Sequence, residues 1–185
     1  KTAPVFWGAE GEYFSSPKID DLGCAWSALE ALKTTTPTGK ISMCALFDNE
    51  ETGKRKKQGE NSDFLLSVTE RIMESLGMGV EEKYIQYADS RMISADNGDA
   101  VHPAWKEKSD VTNLPRMNGG VLLKYSASQK YTADAESGAY VKNLMGKNNI
   151  PYQVFHNNSD VAGGSTLGNL SSQKVSIRTC DVGVP

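Results

Sequence analysis

Hydrophobic and polar positions along this chain switch between two periods, and the switches mark its elements. In "DDLGCAWSALEALKT", Leu22, Ala25, Trp26, Leu29 and Leu32 recur at helical spacing, with Asp20 and Asp21 at the positive N-terminal end. "GKISMCALFDNEE" then alternates Ile41, Met43, Ala45 and Phe47 before an acidic turn, which predicts a strand ending at Asp48. "SDFLLSVTERIMESLG" returns to the helical period, with Ser62 as its cap and Gly77 as its stop. "RMISAD" predicts a short strand that runs into a loop rich in Asp, Gly and Pro from Asp96 to Pro115. So long a loop inside a compact domain is usually functional. Beyond it, "GGVLLKYS", "PYQVFH" and "QKVSIRTCDVG" predict strands and "DAESGAYVKNLMGKNN" a helix, while the residues before Asp20 read as an N-terminal loop. This alternation implies an α/β sandwich with helices on both faces of a sheet.

Composition narrows the picture. At 185 residues the chain has the size of one ordinary domain, and it shows no repeat, low-complexity segment or linker. A hydrophobic share of 38%, with 20 basic against 23 acidic residues, describes a soluble globular protein. A net charge of -3 leaves no electrostatic footprint for nucleic acid, and the short run Lys54, Arg55, Lys56, Lys57 reads as a solvated turn. Cys24, Cys44 and Cys180 are odd in number, far apart and set in apolar stretches, as buried reduced thiols are. No apolar run approaches the roughly 20 residues that cross a bilayer, and the first residues lack the pattern of a secretion signal. The expectation is a cytoplasmic protein without a membrane partner.

Asp20 at a helix start and Glu50, Glu51 and Asp96 at strand ends are the candidate chemistry. Open α/β sheets bind ligands at the carboxyl edge of their strands. Carboxylates that converge there cannot all stay ionised without a cation, because like charges repel strongly in a partly dry site. A divalent metal resolves that conflict; four unrelated surface acids are the other reading, and spacing does not decide between the two.

Longer strings do. "SSPKIDDLGCAWSALEAL", "FDNEETG" followed by "KQG", "ISADNGDAVHP", "GGVLLKYSASQKYTADA" and "NNSDVAGGSTLGNL", ending in "RTCDVGVP", resemble in order and spacing the C-terminal half of the aspartyl aminopeptidases. The resemblance covers the chain from about Ser15 to Pro185. It implies a three-layer α/β/α sandwich around a mixed sheet, of the zinc-peptidase kind and incomplete in this chain. It further implies two zinc ions, with manganese or cobalt as substitutes. Asp20 would bridge the two ions, Glu51 and Asp96 would each hold one, and Glu50 would be the general base. Lys124 and Tyr131 would lie at the substrate pocket, and Gly163, Gly164, Ser165 and Thr166 would form a turn beside the bound peptide.

The resemblance also marks departures. The family's two zinc-binding histidines would lie outside this chain, one before Lys1 beyond an inserted dimerisation domain and one just past "DVGVP". His102 and His156 match no ligand position and read as structural or solvated. Asp99 stands where a substrate-associated histidine is expected, and a carboxylate there would repel an acidic side chain. "EETGKRKK" replaces a small, uncharged stretch. The function these readings imply is a metalloaminopeptidase releasing N-terminal residues, acidic ones in the family, from peptides. A homo-oligomer, typically of twelve subunits, is implied with it. A catalytically silent assembly or binding subunit is the alternative, and a carboxylate-only magnesium or manganese hydrolase of phosphate esters a third.

Overall fold

The computed structural model describes residues 2–36, 38–53 and 56–185, which form two compact units, Lys1–Cys44 and Ala45–Pro185. Lys54 and Arg55 of the expected basic turn lie outside the described residues.

In the first unit, the segment expected to be loop forms a hairpin. β1 (Val5–Trp7) pairs antiparallel with β2 (Tyr13–Ser15), setting Phe6 opposite Phe14 and Trp7 opposite Tyr13. The ring centroids of these pairs lie 5.2 and 4.6 Å apart, and Trp7 Nε1 donates to Ser15 Oγ at 2.7 Å. Cross-strand aromatic pairs of this kind stabilise a ladder beyond simple burial. Runs of three residues fall below the length at which alternation announces a strand, so the pattern hides them. α1 (Ile19–Thr34) follows as the period predicts, burying Cys24; Asp20 and Asp21 stand in its first turn with non-helical dihedrals and a cis peptide between them.

The predicted strand from Ile41 to Asp48 does not form. Its residues join no ladder among the described residues, and Ile41 and Met43 remain exposed. Period-two alternation only specifies a strand when a partner edge is available to hydrogen-bond it. The chain then turns at Asn49, whose φ is 59°, into the short α2 (Glu50–Gly53). In α3 (Phe64–Ser75) the cap position falls to Asp63 rather than Ser62, whose Oγ accepts from Phe64 N at 3.3 Å, and Gly77 ends the helix in the left-handed region as expected. α4 (Val80–Asp89) was not foreseen by the period; Tyr87 locks it to α3 through a 3.0 Å hydroxyl contact with Thr69.

The sheet comprises β3 (Arg91–Ala95), β4 (Val121–Lys124), β5 (Tyr152–Phe155) and β6 (Arg178–Gly183), in the order β3-β6-β4-β5. β6 runs parallel to β3 and antiparallel to β4, and β4 runs parallel to β5, so the sheet is mixed. α5 (Ala135–Lys147) is the crossover between the parallel neighbours β4 and β5, as such pairs require. Asp134 caps it reciprocally with Ser137. Val141 and Met145 of α5 pack on Leu123, Cys180 and Val182, each such burial contributing about 1.5–3 kcal/mol.

On the opposite face, α6 (Leu167–Val175) joins Val175 to Leu65 and Tyr87, with Met92 and Ile177 against them. Helices therefore cover both faces, as the alternation of elements implied. α6 corrects one expectation: Gln173, Lys174 and Val175 close this helix rather than open a strand, and β6 starts at Arg178 after Ser176 adopts φ 50°. The buried face of α6 is Gly168, Ser171 and Val175, too weakly apolar to show a helical period.

Candidate active site

Where β3 ends, the backbone keeps pairing: Asp96 N donates to Val182 O at 3.2 Å and Gly98 N to Val184 O at 2.9 Å. Gly183 permits this close approach, since a Cβ there would strike the Asp96 carbonyl. Asp96 is thereby fixed at the carboxyl edge of the sheet, half-buried, at the start of the long loop. That loop carries its own order: Asp110 Oδ1 accepts from the side chains and backbone N–H groups of Thr112 and Asn113, which holds its carboxyl well below the usual range.

Lys124 closes β4 on the face it shares with Leu122. It is 1% exposed, and its ammonium donates to Asn97 O at 2.6 Å and lies 3.8 Å from Asp96 Oδ2. The same ammonium stands 5.6 Å from the centre of the Tyr131 ring, within cation–π range. Burying a lysine this deeply is costly without such partners. Tyr131 is itself buried against Phe155 and Leu122. Burial pushes its phenol above the ordinary tyrosine range; a hydrogen bond with Asn157 opposes the shift, and the charges of Asp99, Asp181 and Asp96 add to it. Asp99 itself is exposed.

The glycine turn is tied to the same region through Lys130 and Asn157. Lys130 Nζ donates to Gly163 O at 2.6 Å, and a Cβ on Gly163 would collide with the Asn157 amide. Gly164 has open space around it and is exposed, so no close approach demands glycine there. Thr166, buried at the start of α6, donates to Asp181 Oδ1 at 2.5 Å. Asp181 is the residue that sequence reasoning passed over; the signal was a single charge inside the apolar strand "TCDVG".

Among the described residues, the second unit thus groups Asp96, Asp99, Lys124 and Tyr131. Glu50 and Glu51 occupy another segment, the first turn of α2, with Glu50 half-buried and Glu51 exposed. That turn follows an Asp48–Asn49 bend in which Asn49 N donates to Asp48 Oδ1 at 2.8 Å and Asp48 N to Gln58 O at 3.2 Å. Asp20 belongs to the first unit, exposed at the start of α1. His102 and His156 have the structural places expected of them: His102 Nδ1 accepts from Ala104 N at 3.1 Å and its ring lies 4.4 Å from that of Trp105, and His156 stacks on Tyr125.

The expected metal donors are carboxylate oxygens of Asp20, Glu51 and Asp96. Oxygen donors of this type fit zinc, and also fit manganese, so the chemistry of the set is compatible with the implied ions. A mixed α/β sheet with an acid fixed at its carboxyl edge and a buried lysine and tyrosine beside it marks a protein of the α/β class with polar side chains gathered where such sheets take their ligands.

Comparison with known proteins completes the assignment. Residues 2–185 match the model of the aminopeptidase I zinc metalloprotease (M18) family, and the chain belongs to that family. It is 42% identical over 178 residues to a probable M18 family aminopeptidase 2 of Clostridium novyi, covering 96% of this chain and 41% of that protein. It is 33% identical to a probable aspartyl aminopeptidase of Ricinus communis, covering 98% of this chain and 38% of the relative. Among solved structures, an M18 aminopeptidase of Thermotoga maritima superposes with a TM-score of 0.85 at 27% identity, over 98% of this chain and 42% of that one. The mApe1 dodecamer of S. cerevisiae gives 0.76 at 25% identity, over 98% and 41%. The chain therefore spans about two fifths of the length of the relatives it matches. Among the described residues, no helix is long and apolar enough to cross a membrane.

Proposed function

We propose that this chain forms the C-terminal catalytic portion of a metalloaminopeptidase that hydrolyses N-terminal residues from peptides, in a homo-oligomer. The observation that carries the reading is the family match over 2–185 together with the grouping of Asp96, Lys124 and Tyr131 at the sheet edge. Asp20, Glu51 and Asp96 would hold two zinc ions. When bound, zinc supplies Lewis acidity and brings the pKa of water to roughly 7.

The chain's own residues account for the rest. Glu50 takes the proton from the attacking water at a carboxylate oxygen and returns it to the departing amine as the peptide C–N bond breaks. Lys124 keeps Asp96 in place through the ion pair and the Asn97 carbonyl. Tyr131, whose phenol burial holds above the ordinary tyrosine range, presents a hydrogen-bond donor toward the substrate.

Specificity departs from an acidic preference in this reading. The ammoniums of Lys124 and Lys130 are each bonded to a backbone carbonyl, while Asp99 presents an exposed carboxylate. N-terminal residues with neutral or basic side chains are favoured over Asp and Glu. The test is hydrolysis of an aminoacyl panel including Asp, Glu, Leu and Lys by the full-length protein with zinc, manganese or cobalt, beside a Glu50→Ala control. Metal-dependent release lost in the control supports the reading; no release with any metal from folded protein overturns it.

A further inference from the structure

Asp181 is 0% exposed at the middle of β6, and three donors from two other segments converge on its carboxylate. Thr132 N and Thr132 Oγ1 donate to Oδ2 at 2.5 and 2.6 Å, and Thr166 Oγ1 donates to Oδ1 at 2.5 Å. Thr132 follows Tyr131 directly in sequence, and Thr166 ends the Gly163–Gly164 turn and begins α6. The floor beneath is equally tight: Gly168 N donates to Ser94 Oγ at 2.8 Å, and a Cβ on Gly168 would stand 2.6 Å from Asp181 Oδ1. An acid buried this completely is costly without donors, so its three partners are held as firmly as it is.

We infer that Asp181 is the positioning residue of the substrate side, a buried node that sets Tyr131 and the 163–166 turn in one register with the sheet. It touches no substrate and acts through Thr132 and Thr166. An asparagine in its place offers one acceptor and one donor where three donors now meet, so both segments loosen together. Thr132→Val removes one bond and frees the Tyr131 segment alone.

The role in substrate binding rests on the aminopeptidase reading; the coupling of the two segments does not, and hydrogen exchange separates them. In the full-length protein, Asp181→Asn is expected to raise deuterium uptake rates in peptides covering both 126–133 and 161–167 by about tenfold, while the α5 peptide 135–147 is unchanged. Thr132→Val raises uptake in 126–133 only, and Thr132→Ser restores the wild-type rate. In the hydrolysis assay, Asp181→Asn raises KM about tenfold with kcat within about twofold, the mark of lost ground-state positioning. Loosening of one segment only in Asp181→Asn, equal loosening of α5, or a fall in kcat at constant KM overturns the inference. If the wild-type protein hydrolyses nothing, the functional reading fails while the exchange result still decides the coupling.

Discussion

Two acidic segments of the second unit are built in contrasting ways. Asp96 sits on an extended ladder, with a buried lysine beside it and a buried tyrosine behind that lysine. Glu50 and Glu51 ride on a four-residue helix after a bend, held by the local Asp48 and Asn49 bonds. The first segment is set by sheet pairing, which suits groups that must be preorganised; the second is set by a bend and by the backbone bond from Asp48 to Gln58 rather than by a strand. In the proposed reading, the substrate side therefore rests on the sheet and the turn that carries the base rests on a local bend.

Substitution of the two segments sharpens that contrast. Glu50→Ala in the full-length protein is expected to cut kcat by about two to four orders of magnitude, the usual contribution of a positioned base. Steady-state kinetics beside thermal unfolding checks it. An unchanged kcat removes Glu50 from the chemistry.

Lys124→Met should do the reverse, acting on stability first. It keeps the side-chain volume but leaves the Asn97 carbonyl and the Asp96 carboxylate without their cation, at a cost of about 2–4 kcal/mol. Glu51→Gln, at an exposed position, should stay within about 0.5 kcal/mol. Urea unfolding of both variants measures the gap; equal costs would erase the distinction between the segments.

Asp99→His tests how the sheet-borne side chooses its substrate. Replacing the exposed carboxylate with a hydrogen-bonding ring should shift the ratio of kcat/KM for Asp over Leu substrates upward by about tenfold, or about 1.4 kcal/mol. A ratio that does not move would place Asp99 outside the pocket.

The sequence made the sheet edge legible and the tethers illegible. β3, β4 and β5 were readable because alternation and turn residues bracket each one, and the loop after Asp96 because of its length and composition. The strand expected up to Asp48 misled because alternation reports a face, not a partner. α6 was hidden because its buried positions are Gly168, Ser171 and Val175, where small side chains meet Ser94 and Asp181. The candidate acids were legible only through the ordered strings of the family; Asp181 was not, because its donors lie 49 and 15 positions away in sequence.

A last effect probes the sheet itself. Burial pushes the Cys180 thiol up to about 11 from 9.0, and the Tyr131 phenol is raised for the same reason. A group whose folded pKa is raised adds stability that is full below its unfolded pKa and declines as pH climbs toward the folded value. For Cys180 that window runs from about pH 9 to about pH 11. Stability measured by urea unfolding should therefore fall with alkaline pH across this window, and Cys180→Ala should show a shallower slope than wild type despite its lower starting stability. Parallel slopes would mean that the thiol ionises in the folded sheet as freely as in the unfolded chain, and that the face beneath Leu123 and Val141 is open to water rather than closed by α5.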